Sequence, residues 1–286
     1  MPPPVQTRMT AISVNAGCLY MRKGSMGIAL KDILAAAKRH SLVGMLGWQD
    51  VRQRYRRSAL GPFWLTISMG VMIGTIGIVF GSIFKVPMDE FLPFLAAGMI
   101  LWSFISSVVT EGCVGFITAE AVIKQLPIPL FVHIMRMIWR NIIIFAHNLV
   151  ILPLVFIILG KPLSLTAFLS LIGFALLVIN LTWVVLLLGV VCARYRDLPQ
   201  IVGNAIQVIF YLTPVIWMPS HLNERTGMYL LDMNPAYHLL EIVRAPLLGQ
   251  QPSQTNWIVA VSLAVSGWFI SLLIYGRYKR RIAYWL

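Results

Sequence analysis

The sequence predicts an all-α integral membrane protein. It is expected to carry six transmembrane helices, an N-terminal amphipathic helix at the membrane interface, and re-entrant helices on the outer side between spans five and six. Three observations carry this reading. Of 286 residues, 58% are hydrophobic and 12% charged, about half the charged fraction of an ordinary soluble domain. The remaining charges leave six long gaps, each able to hold the roughly 20 residues that cross a hydrocarbon core. The net charge of +13, from 23 Lys+Arg against 10 Asp+Glu, is divided unevenly between alternate loops. In a soluble chain such basicity points to nucleic acid; in so apolar a chain it reports topology, and no nucleic-acid partner is expected.

The gaps run from Arg57 to Lys85, Glu90 to Glu111, Arg140 to Lys161, Lys161 to Arg194, Asp197 to Glu224 and Arg244 to Arg277. They place helices near 61–84, 92–114, 137–159, 165–192, 199–218 and 256–276. Six spans put both termini on one side. The opposite loops hold only Lys85, Lys161, Arg225 and Arg244, and the other 19 basic residues fall with the termini. Positive segments stay cytoplasmic, so both ends of the chain are expected inside.

Residues 1–27 read as a loose tail, 28–58 as cytoplasmic amphipathic and gating helices, and 59–286 as the six-span domain. Thr10, Ser13 and Asn15 make the stretch 9–21 too polar for a signal peptide, and Met21 or Met26 also fits as a start. Over 28–47, Ile33, Leu34, Ala37, Leu42 and Leu46 form an apolar stripe opposite Lys31, Lys38 and Arg39. Such a helix lies in the membrane interface or packs as a cytoplasmic element. Four arginines then follow, Arg52, Arg54, Arg56 and Arg57. Headgroup binding accounts for their charge but not for Asp50 and Tyr55 beside them.

Between spans two and three, Pro127 and Pro129 stop a short helix that begins near Ala119. This stiff element is either a docking surface or an ordinary turn. In the outer segment 219–255, Asn234-Pro235 supplies an N-cap followed by proline at the first helical position. The helix from Ala236 to Leu248 rises only about 20 Å, too short to cross. It is expected to dip back into the membrane, packed against protein. Glu241 and Arg244, three residues apart, are placed to pair.

Motifs for nucleotide, dinucleotide, zinc-hydrolase or serine-hydrolase chemistry do not occur. Cys18, Cys113 and Cys192 show no metal or disulfide spacing. No catalytic residue, metal or cofactor is therefore expected in this chain. Of the five histidines only His147 lies well inside a span, near Asn141 and Asn148, as an interhelical hydrogen-bond partner. Glu111, near the cytoplasmic end of the second span, is expected either wet or paired with Arg136 or Arg140. The last three spans lack interior charges, which an ion-coupled carrier or flippase needs. A membrane-embedded acyl- or glycosyltransferase would need a His or carboxylate cluster that is likewise missing. Phe63, Trp64, Phe80 and Phe84 in the first span, with Phe210, Tyr211 and Trp217 in the fifth, form either an interfacial belt or a surface for sugar rings.

The run from Asp50 through Arg54-Tyr55 to Ser58-Ala59-Leu60-Gly61-Pro62-Phe63-Trp64 resembles the first-span mouth of bacterial polysaccharide-exporter permeases. These are membrane subunits of ABC transporters for O-antigen, capsule and teichoic acid. Two further blocks agree in order: Arg194-Tyr195-Arg196-Asp197-Leu198 with Phe210-Tyr211-Leu212-Thr213-Pro214-Val215-Ile216, and Asn234-Pro235-Ala236-Tyr237 with Glu241-Ile242-Val243-Arg244. The match covers about 30–286. It implies an inner-membrane permease for a lipid-linked polysaccharide, O-antigen first among the candidates, with an exporter of smaller molecules as the alternative.

By the same resemblance the chain pairs with a second copy and with two cytoplasmic ATPase subunits that hold ATP and Mg. The cargo is a glycan on undecaprenyl diphosphate, with membrane lipids around it. Glu120, Val122, Ile123, Lys124, Gln125, Pro127 and Pro129 match the coupling helix. Asp50, Arg52, Arg54, Tyr55 and Arg56, with Arg196 and Asp197, match the access and gating region, where Arg52, Arg54 and Arg56 meet either the lipid diphosphate or headgroups. Phe63, Trp64, Phe210 and Tyr211 become path residues. Asn234, Pro235, Tyr237, Glu241 and Arg244 become a periplasmic gate.

Overall fold

The computed structural model describes residues 24–56, 63–162, 164–219 and 228–286, without the side chains of Tyr55, Phe84 and Met228. The expectations for the tail 1–23, for Arg57 through Pro62 and for Glu224 and Arg225 lie outside these residues. Among the described residues the regular structure is all helical. In order come α1 (residues 24–38), α2 (His40–Tyr55), α3 (Phe63–Phe84), α4 (Met88–Thr118), α5 (Glu120–Gln125) and α6 (Phe131–Leu149). Then follow α7 (Ile151–Ile158), a 3-10 turn (Leu165–Phe168), α8 (Leu169–Arg194), α9 (Leu198–Leu212), a π turn (Met228–Asp232), α10 (Pro235–Leu247) and α11 (Gln254–Trp285).

Five helical segments are long and apolar enough to cross a membrane: Phe63–Ile83, Met88–Thr118, Phe131–Ile158, Leu165–Arg194 and Gln254–Trp285. The chain is a multi-pass membrane protein. Of the stretch expected as a crossing at 199–218, the part up to Leu212 is helical, as the 15-residue α9, which by itself rises about 22 Å against a core of about 30 Å. Pro214 disfavours helical geometry at the residue before it, and Thr213 is indeed extended (φ −92°, ψ 136°).

α4 is the spine. Its most apolar stretch is 78% buried, against 11% for that of α3, and α3, α6, α7, α8, α9 and α10 all pack on it. Asp89 and Glu90 sit in its first turn, where the helix dipole favours anions. Pro93 has no N–H to give the Asp89 carbonyl, and Lys161 Nζ donates to that oxygen instead, at 2.6 Å. Met88 and Leu92 meet α3 at Gly77, while Gly98 and Trp102 meet Val215 and Phe210. With Leu95, which also meets Gly77, these α4 positions recur at three- and four-residue spacing, so α3 and then α9 with the segment after it cover successive stretches of one stripe.

Close crossings fix the other helices. α8 passes α10 so tightly that a Cβ at Gly173 would stand 2.2 Å from the Ile242 carbonyl oxygen. Backbone cannot yield as a side-chain tip does, so Gly173→Ala is expected to cost about 1–3 kcal/mol. Thermal unfolding in detergent measures it, with Gly74→Ala, where a Cβ meets nothing within 4 Å, as the comparison. Equal midpoints for the two variants would contradict the crossing.

The N-terminal helix differs from the expected amphipathic stripe. Residues 24–27 are helical rather than tail, and the chain turns at Arg39. Ala29, Asp32, Ala36 and Val43 are buried, whereas Leu34 is 60% exposed. The face that docks is the one carrying Asp32. Its carboxylate accepts bonds from Tyr275 Oη (2.5 Å), Phe131 N (3.0 Å) and Lys279 Nζ (2.7 Å). Leu34 needs no protein partner where the surroundings are lipid.

Candidate functional site

At the end of the bundle where α1, α2, α5 and the basic end of α11 gather, charged groups from three helices form one network. Arg136 on α6 donates to Asp50 on α2 through Nε at 2.6 Å and through Nη2 to the second oxygen, a bidentate pair. Arg140, one turn along, reaches Asp50 at 3.4 Å and Glu111 of α4 at 2.6 Å. Asn141 and Arg54 complete the Glu111 carboxylate at 2.6 and 3.2 Å. Of the two partners expected for Glu111, Arg140 takes it and Arg136 goes to Asp50. The network thus ties α2 to both α4 and α6.

Beside it lies a cavity of about 460 Å³ lined by Asp50, Glu111, Val122, His133, Arg136 and Arg140. His133 Nε2 and Arg140 Nε are buried there with no hydrogen-bond partner among the described residues. Of the other residues in the access region, Arg52 and Arg56 are exposed, and Tyr55 lies in α2 with its side chain outside the described part. Arg196 is not part of the network. It donates to the Leu286 carbonyl at 3.3 Å and lies near enough to influence Glu120. Asp197 is exposed at the N-cap position of α9 and makes no side-chain cap bond there.

α5 hangs from the end of α4. None of its residues is buried, and Leu126 and Pro127 beyond it are exposed. Lys124 bonds Glu120 at 2.7 Å, and that ammonium holds the Glu120 carboxyl below its usual range. Val122 and Ile123 are half-buried, whereas Lys124 and Gln125 face out. The extended Leu126 (φ −121°, ψ 132°) ends the helix ahead of Pro127, as a residue before proline should. Pro129, half-buried, closes the element.

The four aromatic residues expected along a path divide in two groups. On α3, Phe63 and Trp64 are 65% and 55% exposed, with Phe63 edge-on to His147 at 6.3 Å. On α9, Tyr211 is 59% exposed, while Phe210 packs on Trp102 at 5.6 Å. His147 does not bridge helices by a hydrogen bond as expected; its Nδ1 contacts the Ile143 carbonyl of its own helix. The interhelical bond runs instead from Thr66 to Asn148.

At the opposite end, α10 packs against α4, α8 and α11. Asn234 caps it, accepting from Ala236 N and Tyr237 N, and its amide reaches back to Thr213 Oγ1 at 2.9 Å. Pro235 occupies the first turn. Arg244, 1% exposed, donates to Glu241 at 2.5 and 3.0 Å and to the Pro214 carbonyl at 2.5 Å. Its guanidinium also lies 4.1 Å from the Phe94 ring centre. Burial pushes the Tyr237 phenol above its usual range, and the nearby Glu241 adds to this. The Glu241–Arg244 pair was legible from its spacing; Phe94 and the Pro214 carbonyl carry no sequence signal. Asp32 was also missed, although an acid between Ala29, Ile33 and Ala36 on an apolar face is such a signal.

The family model described as "ABC-2 type transporter" matches residues 41–248, which is most of the chain. The chain belongs to the ABC-2 type transporter family. An ABC-2 chain of this kind is a transmembrane subunit and not itself the catalytic one. Similar curated relatives are named O-antigen export system permease protein RfbA. One from Klebsiella pneumoniae is 20% identical over 82% of this chain and 91% of its own length. A second from the same organism is 21% identical over 65% and 72%, and one from Myxococcus xanthus is 24% identical over 69% and 76%. The ABC-2 match includes α2, the charge network, α5 and α10.

Proposed function

We propose that this chain is the permease of an ABC exporter that carries a lipid-linked polysaccharide, O-antigen in the first instance, across the bacterial inner membrane. The observation that carries the reading is α5, an unburied helix held out between α4 and α6 on the basic end, in a chain whose relatives are named O-antigen export permeases. A cytoplasmic ATPase subunit with ATP and Mg receives α5, and two such subunits serve two permease copies. Both termini and the charge network face the cytoplasm, in accord with the basic residues gathered there. α9 and the 213–219 segment together make the sixth passage, and α10 is the outer gate.

Between two copies, the exposed apolar faces of α3 and α9 wall the path. Phe63, Trp64 and Tyr211 offer sugar C–H groups flat surfaces that impose no single hydrogen-bond pattern. Arg52, Arg54 and Arg56 stand where the undecaprenyl diphosphate arrives. The test is transport of lipid-linked glycan in vesicles holding the permease and its ATPase. Ile123→Asp is expected to reduce transport to the ATP-free rate while the two subunits still co-purify. Glycan movement at an equal rate without ATP would overturn the reading.

A further inference from the structure

On the face of α6 turned away from the charge network lies a second cavity of about 570 Å³, walled almost wholly by apolar side chains. One wall is the α1–α2 stripe Ile33, Ala37, His40 and Gly44; the other is the α6 stripe Phe131, Met135, Ile138 and Ile142. Both stripes follow the spacing of one helix face. Trp268 of α11 also lines it, with Phe131 against its ring at 6.3 Å. Along α6 the groove runs about 16 Å, and about 13 Å of helix rise separates Trp268 from the basic group at Arg277. The groove therefore begins at the level of the charged end and continues into the apolar layer. Lys38 and Arg39, between the lining residues Ala37 and His40, are exposed at the α1–α2 turn.

We infer that this groove is a binding site for one anionic phospholipid. An acyl chain lies between the α1–α2 and α6 stripes, and the phosphate sits against Lys38, Arg39 and His40. Charge complementarity selects this occupant. A cation pair beside an apolar slot favours a lipid whose headgroup is negative overall, because the choline of a zwitterionic lipid offsets the phosphate charge the pair would meet. Asp32 on the buried face of α1 is already bonded to Tyr275, Phe131 and Lys279, so it does not neutralise Lys38 and Arg39. The bound chain would complete the packing of the N-terminal helix against the bundle, where Leu30 and Leu34 are left exposed beside it.

The inference is independent of the cargo, because it concerns the resting permease. Native mass spectrometry of the full chain, purified from mixed phosphatidylglycerol and phosphatidylcholine vesicles, reads it directly. Wild type is expected to retain one phosphatidylglycerol per chain. Gly44→Phe places a ring in the groove from a position where a Cβ meets nothing within 4 Å, so folding is expected to persist. Retention should then fall about tenfold or more, as loss of a few buried methylenes implies. Lys38→Gln with Arg39→Gln should keep a lipid but lose the preference for phosphatidylglycerol.

Undiminished retention by a folded Gly44→Phe protein would overturn the site. So would equal retention of both lipids by wild type. A polyprenyl diphosphate as the retained species, from cell membranes, would give the groove to the cargo instead. Lipid bound only after removal of residues 1–23 would give it to the chain's own N-terminus.

Discussion

Arg244→Met is expected to destabilise the protein by about 3–5 kcal/mol, the cost of breaking a buried ion pair from one side. The guanidinium is 1% exposed and serves three partners at once: the Glu241 carboxylate, the Pro214 carbonyl and the Phe94 ring. Methionine fills a similar volume but leaves Glu241, itself only 17% exposed at the side chain, without its counter-charge. It also strands the Pro214 oxygen, which costs about 1–3 kcal/mol when nothing replaces the donor. Adding Glu241→Leu should recover a good part of the loss, because an apolar pair often substitutes for a buried ionic one. The unrecovered part reports the Pro214 bond. Denaturant unfolding in detergent measures both steps, and a single variant within about 0.5 kcal/mol of wild type would show a solvated pair.

Asp32→Ala is the second large effect, at the other end of the bundle and of similar size, about 3–5 kcal/mol. It removes a carboxylate that three donors share, so the Tyr275 hydroxyl, the Phe131 N–H and the Lys279 ammonium all lose their acceptor. Asp32→Asn keeps an oxygen for the hydroxyl and the amide but not the charge opposite Lys279, and should fall between. The loss ought to be local, since α1 is joined to the bundle largely through this face. Hydrogen exchange should therefore rise over residues 24–38 before the rest of the chain responds. Unchanged protection of α1 in Asp32→Ala would remove the node from the account.

Much of this architecture could be read from where charges are missing. The long uncharged gaps correspond to α3, α4, α6 with α7, α8 and α11, because charge is excluded from hydrocarbon whatever the packing. Local chemistry was equally legible: Pro127 behind α5, Asn234-Pro235 ahead of α10, and Glu241 three residues before Arg244. The short α9 was not, since its 26-residue gap is apolar enough to cross and only Thr213-Pro214 marks the stop. Which face of α1 docks was not legible, because hydropathy does not separate a residue packed on protein from one such as Leu34 that faces outward. A node such as Asp32 with Tyr275 depends on residues far apart in the chain, and no local pattern encodes that meeting. The same holds for Phe94 beneath Arg244.

The Asp32 node has a consequence for how the protein is made. Tyr275 stands 243 residues after Asp32, so synthesis delivers the carboxylate long before two of the three groups that satisfy it. While the intervening helices insert, α1 carries an acid whose hydroxyl and ammonium partners are still to come. Phe131 on α6 brings the first donor, and the hydroxyl and the ammonium come only with α11. The Asp32 node is thus closed only once α11 is in place, and a chain interrupted before α11 leaves the carboxylate with one of its three donors.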